Sequence, residues 1–104
     1  MTDFIATVAV SDIAPGTMKT VMVLGKPVAL ANVDGEFFAI GDTCTHEHCS
    51  LGTDGVLDGN VVMCGCHGGQ FDVTNGKVMA LPPVTDADSY TVKVENGQIF
   101  VRLG

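Results

Sequence analysis

With 104 residues and a formal net charge of -7, the chain is long enough for one domain and too short for two. The acidity is uneven: no Lys or Arg occurs between Lys26 and Lys77, whereas Asp34, Glu36, Asp42, Glu47, Asp54, Asp58 and Asp72 all fall there, and the other five acids are matched by five bases. Such a balance disfavours nucleic acid and anionic membrane as partners, and the opening Met1-Thr2-Asp3-Phe4-Ile5-Ala6-Thr7 has neither a basic region nor a long apolar run, so a cytosolic protein without signal peptide or membrane span is expected.

Val and Thr runs punctuated by glycine, with no stretch of helical periodicity, read as all-β. Phe4 to Val10 alternates as a first strand, and Ser11 to Gly16 is a turn. Thr17 to Leu24 and Pro27 to Val33 form a hairpin across Gly25-Lys26, and Asp34-Gly35 turns the chain into Glu36 to Ile40. Gly41 to Gly52 shows no strand pattern and reads as a loop. Val56-Leu57 and Val61-Val62-Met63 form a short hairpin across Asp58-Gly59, Cys64 to Gly69 is a second glycine-rich loop, and Gln70 to Val73 leaves it as a strand before the Asn75-Gly76 turn. Leu81-Pro82-Pro83 is rigid and extended. Tyr90 to Glu95 and Gln98 to Leu103 close the chain as a hairpin across Asn96-Gly97, the segment from Ser89 to Val94 alternating as a half-buried strand does. Met18, Met22, Met63 and Met79 read as core fillers rather than ligands.

The two loops carry the chemistry. Cys44-Thr45-His46 is followed by seventeen residues and then Cys64-Gly65-Cys66-His67. Thiolates and imidazoles are ligands that zinc and iron-sulfur clusters both take. In a Cys2His2 zinc finger the two Cys share one clip and the two His the other, whereas here each clip supplies one of each. That mixture suits a two-iron cluster in which one iron takes both thiolates and the other both imidazoles. Zinc remains the competing metal.

At these residues the chain resembles the Rieske family, whose C-x-H and C-x-x-H pattern is matched by Cys44, His46, Cys64 and His67. The resemblance extends through Gly68-Gly69-Gln70-Phe71-Asp72 and through Leu81-Pro82-Pro83, which looks like the family's proline loop, and nearly the whole chain is similar to the Rieske ferredoxins of bacterial aromatic-ring dioxygenase systems. It implies one [2Fe-2S] cluster and an antiparallel β-sandwich base, about 1–40 and 73–104, with an inserted cluster-binding subdomain, about 41–72. Unlike the family's respiratory subunits, which carry a membrane anchor, this chain shows none.

The role implied is that of a monomeric one-electron carrier from a flavin-containing, NAD(P)H-dependent ferredoxin reductase to a terminal Rieske oxygenase. With His46 and His67 on the cluster, only His48 remains of three His, too few for the two-His mononuclear iron of the wider family's oxygenases, and no Gly-x-Gly-x-x-Gly is present, so substrate conversion is expected on other chains. The alternatives are a metal-stabilised regulatory or assembly module and the ferredoxin of a multicomponent monooxygenase. Partner contact is expected at the ligand His and at Glu47, His48, Pro82 and Pro83, with a solvated loop as the plainer account of His48. High-potential members resemble this pattern but place Ser and Tyr where this chain has Gly69 and Phe71, which implies a potential at the low end of the family's range.

Cys49 and Cys66 occupy the positions that hold a loop-linking disulfide in the respiratory members. The resemblance therefore implies a Cys49–Cys66 bridge, while the cytosol favours two buried free thiols. Of the two, the bridge is expected.

Overall fold

β-branched runs pair into antiparallel strands wherever a turn with positive φ lets the chain reverse. A computed structural model describes residues 3–43, 49–66, 68–80 and 85–103. In chain order the elements are β1 (Ile5–Ala9), a single 3-10 turn at Val10–Asp12, β2 (Met18–Val23), β3 (Lys26–Val33), β4 (Glu36–Gly41), α1 (Leu51–Asp54), β5 (Val56–Asp58), β6 (Val61–Met63), β7 (Gln70–Asp72), β8 (Val78–Ala80), β9 (Ser89–Glu95) and β10 (Gln98–Arg102). The strands form a six-stranded sheet in the order β1-β10-β9-β4-β3-β2 and a four-stranded sheet in the order β5-β6-β7-β8. The larger sheet curls until β1 returns beside β2, giving a near-barrel.

β3 explains how the two sheets stack. Its run Val28-Ala29-Leu30-Ala31 is buried throughout. Val28 and Leu30 point into the barrel with Val21, Val23, Ile99 and Val101, while Ala29 and Ala31 face the other way with Ile40, Leu51, Val62, Phe71 and Val73. A continuous apolar run is what a strand covered on both faces requires. Phe71, Leu30, Ile40 and Leu51 are fully buried, each contributing about 1.5–3 kcal/mol of transfer free energy.

The turns are chemically local. Asp34 and Gly35 have φ of 52° and 91°, and Asn96 and Gly97 have 53° and 74°, the positive pair a two-residue hairpin needs. The β2–β3 hairpin departs from expectation by one residue: Val23 pairs with Lys26, so the turn lies on Leu24-Gly25, with φ of 51° and 79°, and not on Gly25-Lys26.

Two further expectations are corrected. The loop assigned to 41–52 ends in α1, whose N-cap Ser50 accepts a hydrogen bond from the Thr53 N–H. β8, which follows the stretch expected to bind the cluster, pairs with β7 as the fourth strand of the small sheet. Of the four methionines placed in the core, only Met18 packs against it; Met22, Met63 and Met79 are 63%, 42% and 55% exposed, since strand alternation turns them to the outer faces. Along β9, Tyr90 and Val92 are half-buried as expected, but Val94 is exposed.

Candidate metal centre

Both glycine-bearing loops leave the sheets at one end of the molecule. β4 runs into the first loop, and the two strands of its neck are held together by Thr43 bridging Ser50 and by the Leu51 N–H donating to the Asp42 carbonyl at 2.7 Å. The Asp42 carboxylate is 4% exposed and accepts from the Thr20 hydroxyl at 2.8 Å and from the Gly52 N–H at 2.9 Å. Thr20 Oγ1 also lies 2.9 Å from the hydroxyls of both Ser50 and Thr53. One buried carboxylate thus ties β2, the end of β4 and the start of α1 together, so the neck of the loop is fixed from both sides.

The second loop closes on itself. Cys64 donates its N–H to the Gly69 carbonyl at 2.6 Å and accepts at its own carbonyl from the Gly68 N–H at 3.1 Å, with Gly68 at φ 75°. Gly65 lies so close to the Asp54 carbonyl that a Cβ would collide with it, which seats this loop on the end of α1. The loops are also joined covalently: Cys49 and Cys66 are bonded across a Cα separation of 6.5 Å, inside the range a disulfide spans.

Cys64 is 2% exposed and unbridged, and its sulfur lies within 4.8 Å of those of Cys49 and Cys66. A buried thiol that packs with Phe71 and Val62 at the root of a glycine loop offers the donor chemistry that iron and zinc take. Cys44, His46 and His67, with Glu47, His48, Pro82 and Pro83, lie outside the described residues. Where a hydroxyl donor was expected to be missing, Gly69 and Phe71 are both buried, Phe71 completely.

Sequence reasoning missed Asp42, Thr20 and Ser50. The only local signal was the capping Ser50, which precedes too short a helix to announce itself. The acids also distribute differently in space than along the chain. Asp34 and Glu36 flank the β3–β4 turn, about 17 Å along β4 from Gly41. Asp42 is spent on hydrogen bonds, and Asp58 sits at the turn of β5–β6, away from Cys64. Near the ligand loops, the exposed described acids are Asp54, Asp86 and Asp88. The last two border a cleft of about 420 Å³ lined also by Lys26, Pro27, Thr43 and Tyr90. Burial first, and then the Asp88 carboxylate that accepts the Tyr90 hydroxyl, push the phenol above its ordinary value.

These features define a class: an all-β domain in which a near-barrel carries a smaller sheet whose two joined loops form one clip. The Rieske [2Fe-2S] domain matches residues 3–94, and the chain belongs to that family. It is 42% identical over its whole length to the ferredoxin component of the p-cumate 2,3-dioxygenase system of Pseudomonas putida, covering 89% of that protein. It is also 42% identical to the biphenyl dioxygenase ferredoxin subunit of Pseudomonas sp. (strain KKS102), over 89% of this chain and 85% of the other. Among solved structures, a chain in the complex of reduced oxygenase and oxidised ferredoxin in carbazole 1,9a-dioxygenase matches with a TM-score of 0.88 and 37% identity, covering 95% of this chain and 92% of that one.

Proposed function

We propose that the chain is a one-electron carrier, the ferredoxin component of an aromatic-ring dioxygenase system, taking electrons from a flavin-containing, NAD(P)H-dependent reductase and delivering them to a terminal oxygenase. The observation that carries this reading is the likeness over the full chain to ferredoxin components of such systems. The likeness to a chain captured with an oxygenase supports that partner. A soluble, cytoplasmic monomer agrees with the reading; no helix among the described residues is long and apolar enough to cross a membrane. The protein converts no organic substrate itself.

In this reading a single [2Fe-2S] cluster is held by Cys44, His46, Cys64 and His67, and residues 41–72 act as the subdomain that binds it. What supports the assignment is the paired spacing together with the buried, unbridged Cys64 at the meeting of the two loops. When bound, the cluster supplies a one-electron store. The chain's own residues position it: Asp42 and Thr20 fix the neck of the first loop, Gly65 seats the second on α1, and the Cys49–Cys66 bridge joins the two. Buried Phe71 and Gly69 bring no side-chain donor to the sulfurs, which favours the oxidised form and a low potential. The reading also expects partner contact at Glu47, His48, Pro82 and Pro83, beside the two His ligands.

The experiment is anaerobic mixing of the reduced chain with the oxidised oxygenase components of the p-cumate and biphenyl systems. The reading expects stoichiometric reoxidation of the chain and reduction of at least one oxygenase; failure to reduce either overturns it.

A further inference from the structure

Among the described residues, three two-residue hairpin turns place a non-glycine residue at positive φ, followed by a glycine. Two use residues suited to that conformation, Asp34-Gly35 and Asn96-Gly97. The third uses Leu24, at φ 51°, followed by Gly25. A bulky side chain there is strained, because its Cβ crowds the backbone, whereas Asn and Asp tolerate the region. Leu24 recovers nothing by burial: it is 68% exposed, and Met22 two residues away is 63% exposed. Among the described residues these are the two most exposed large apolar side chains.

The location of this turn separates it from the other two. Val28 pairs with Gly41, and the Asp42 N–H donates to the Pro27 carbonyl at 3.3 Å, so the β2–β3 tip stands at the end of the sheet where the first ligand loop begins. Asp34-Gly35 and Asn96-Gly97 lie at the opposite end. The cleft bordered by Lys26, Pro27, Asp86 and Asp88 opens beside the turn end of the same hairpin. An apolar tip beside an acidic cleft fits a surface with an apolar patch flanked by a Lys or Arg.

We propose that Leu24 and Met22 form a docking contact for the terminal oxygenase, a ridge beside the cluster loops that seats the partner for electron transfer. The inference rests on the carrier reading above. A backbone strain kept at an exposed tip, on the one hairpin that flanks the site, is accounted for when a partner covers the side chain.

Leu24→Asn separates docking from folding, because the two effects run in opposite directions. Asn suits positive φ, so the variant is expected to raise Tm by a few degrees, with the visible spectrum and potential of the loaded protein unchanged. Binding to whichever of the p-cumate and biphenyl oxygenases the unaltered chain reduces fastest is expected to weaken about fivefold or more, at low and high ionic strength alike, since an apolar contact is lost. Met22→Thr, which suits a strand, should weaken it in the same direction. Unchanged affinity in both variants, with the unaltered chain still reducing the oxygenase, overturns the docking ridge and leaves the carrier reading standing. If the unaltered chain reduces neither oxygenase, both fall.

Discussion

Asp42 is where the site depends most on one side chain. Its carboxylate takes the Thr20 hydroxyl and the Gly52 N–H in a place 4% exposed, so removing it leaves the half-buried Gly52 N–H without its acceptor and the Thr20 hydroxyl with those of Ser50 and Thr53 alone. Asp42→Ala is expected to cost about 1–3 kcal/mol and to lower the iron content of protein loaded under fixed conditions. Asp42→Asn keeps an acceptor oxygen and should lose less than half as much; thermal melts with iron analysis check both, and equal losses would mean that the hydrogen bonds are not the cause. Tyr90 carries a pH signature. Its phenol ionises above its ordinary value in the folded chain, owing to burial and then to Asp88. The unfolded chain therefore loses the proton first, and stability contributed by the neutral phenol is complete below pH 10 and falls as pH rises beyond it. Tyr90→Phe should flatten that alkaline decline, as measured by denaturant melts at pH 9 and above; an unchanged slope would assign the decline to other groups.

At the scale of elements, two short-range devices hold the loops, and glycines tell them apart. A Cβ at Gly65 meets the Asp54 carbonyl, backbone that cannot swing aside, whereas Gly59, at φ 62°, faces open space. Gly65→Ala should cost about 3 kcal/mol or more and strip iron. Gly59→Ala should cost about 1 kcal/mol and leave iron in place. Melts and metal content distinguish the pair. The Cys49–Cys66 bridge closes a sequence separation of 17 residues, worth on the order of 3 kcal/mol in the chain-entropy account. Protein purified and denatured anaerobically without reductant should show two titratable thiols of four cysteines; four would mean that the bridge does not persist. These elements also mark how far the sequence could be read. Asp34-Gly35 and Asn96-Gly97 were legible because positive φ is a property of the two residues themselves. α1 was not, since four residues including a glycine owe their helix to Asp42, Thr20 and Ser50, which only the fold brings together. β8 was hidden for a similar reason: Val78-Met79-Ala80 is short, pairs with β7 alone among the described strands and exposes its methionine. The paired Cys and His of the clips were visible as spacing, but the buried carboxylate behind them carried no local mark.

For the molecule as a whole, the near-barrel and the small sheet share β3 and β4 as a common wall, with Ala29, Ala31 and Ile40 facing Phe71 and Val73. That wall places the neck of the first loop, the acidic cleft and the β2–β3 tip together, while Asp34 and Glu36 lie far away. Of the seven acids in the chain's middle, Asp34, Glu36 and Asp58 lie away from the loops and Asp42 is spent on hydrogen bonds; among the exposed described acids near the loops, Asp54 comes from that stretch, and Asp86 and Asp88 join it from further along the chain. Apolar contact and a few local charges, more than net charge, then set how the carrier docks. The central claim is that this wall supports one electron store held by mixed Cys and His ligands. Metal analysis together with voltammetry of the purified protein tests it most directly. The account predicts two irons per chain and one reversible one-electron wave in the lower part of the family's range of about -150 to +300 mV; zinc in place of iron, or no reversible wave, would contradict it.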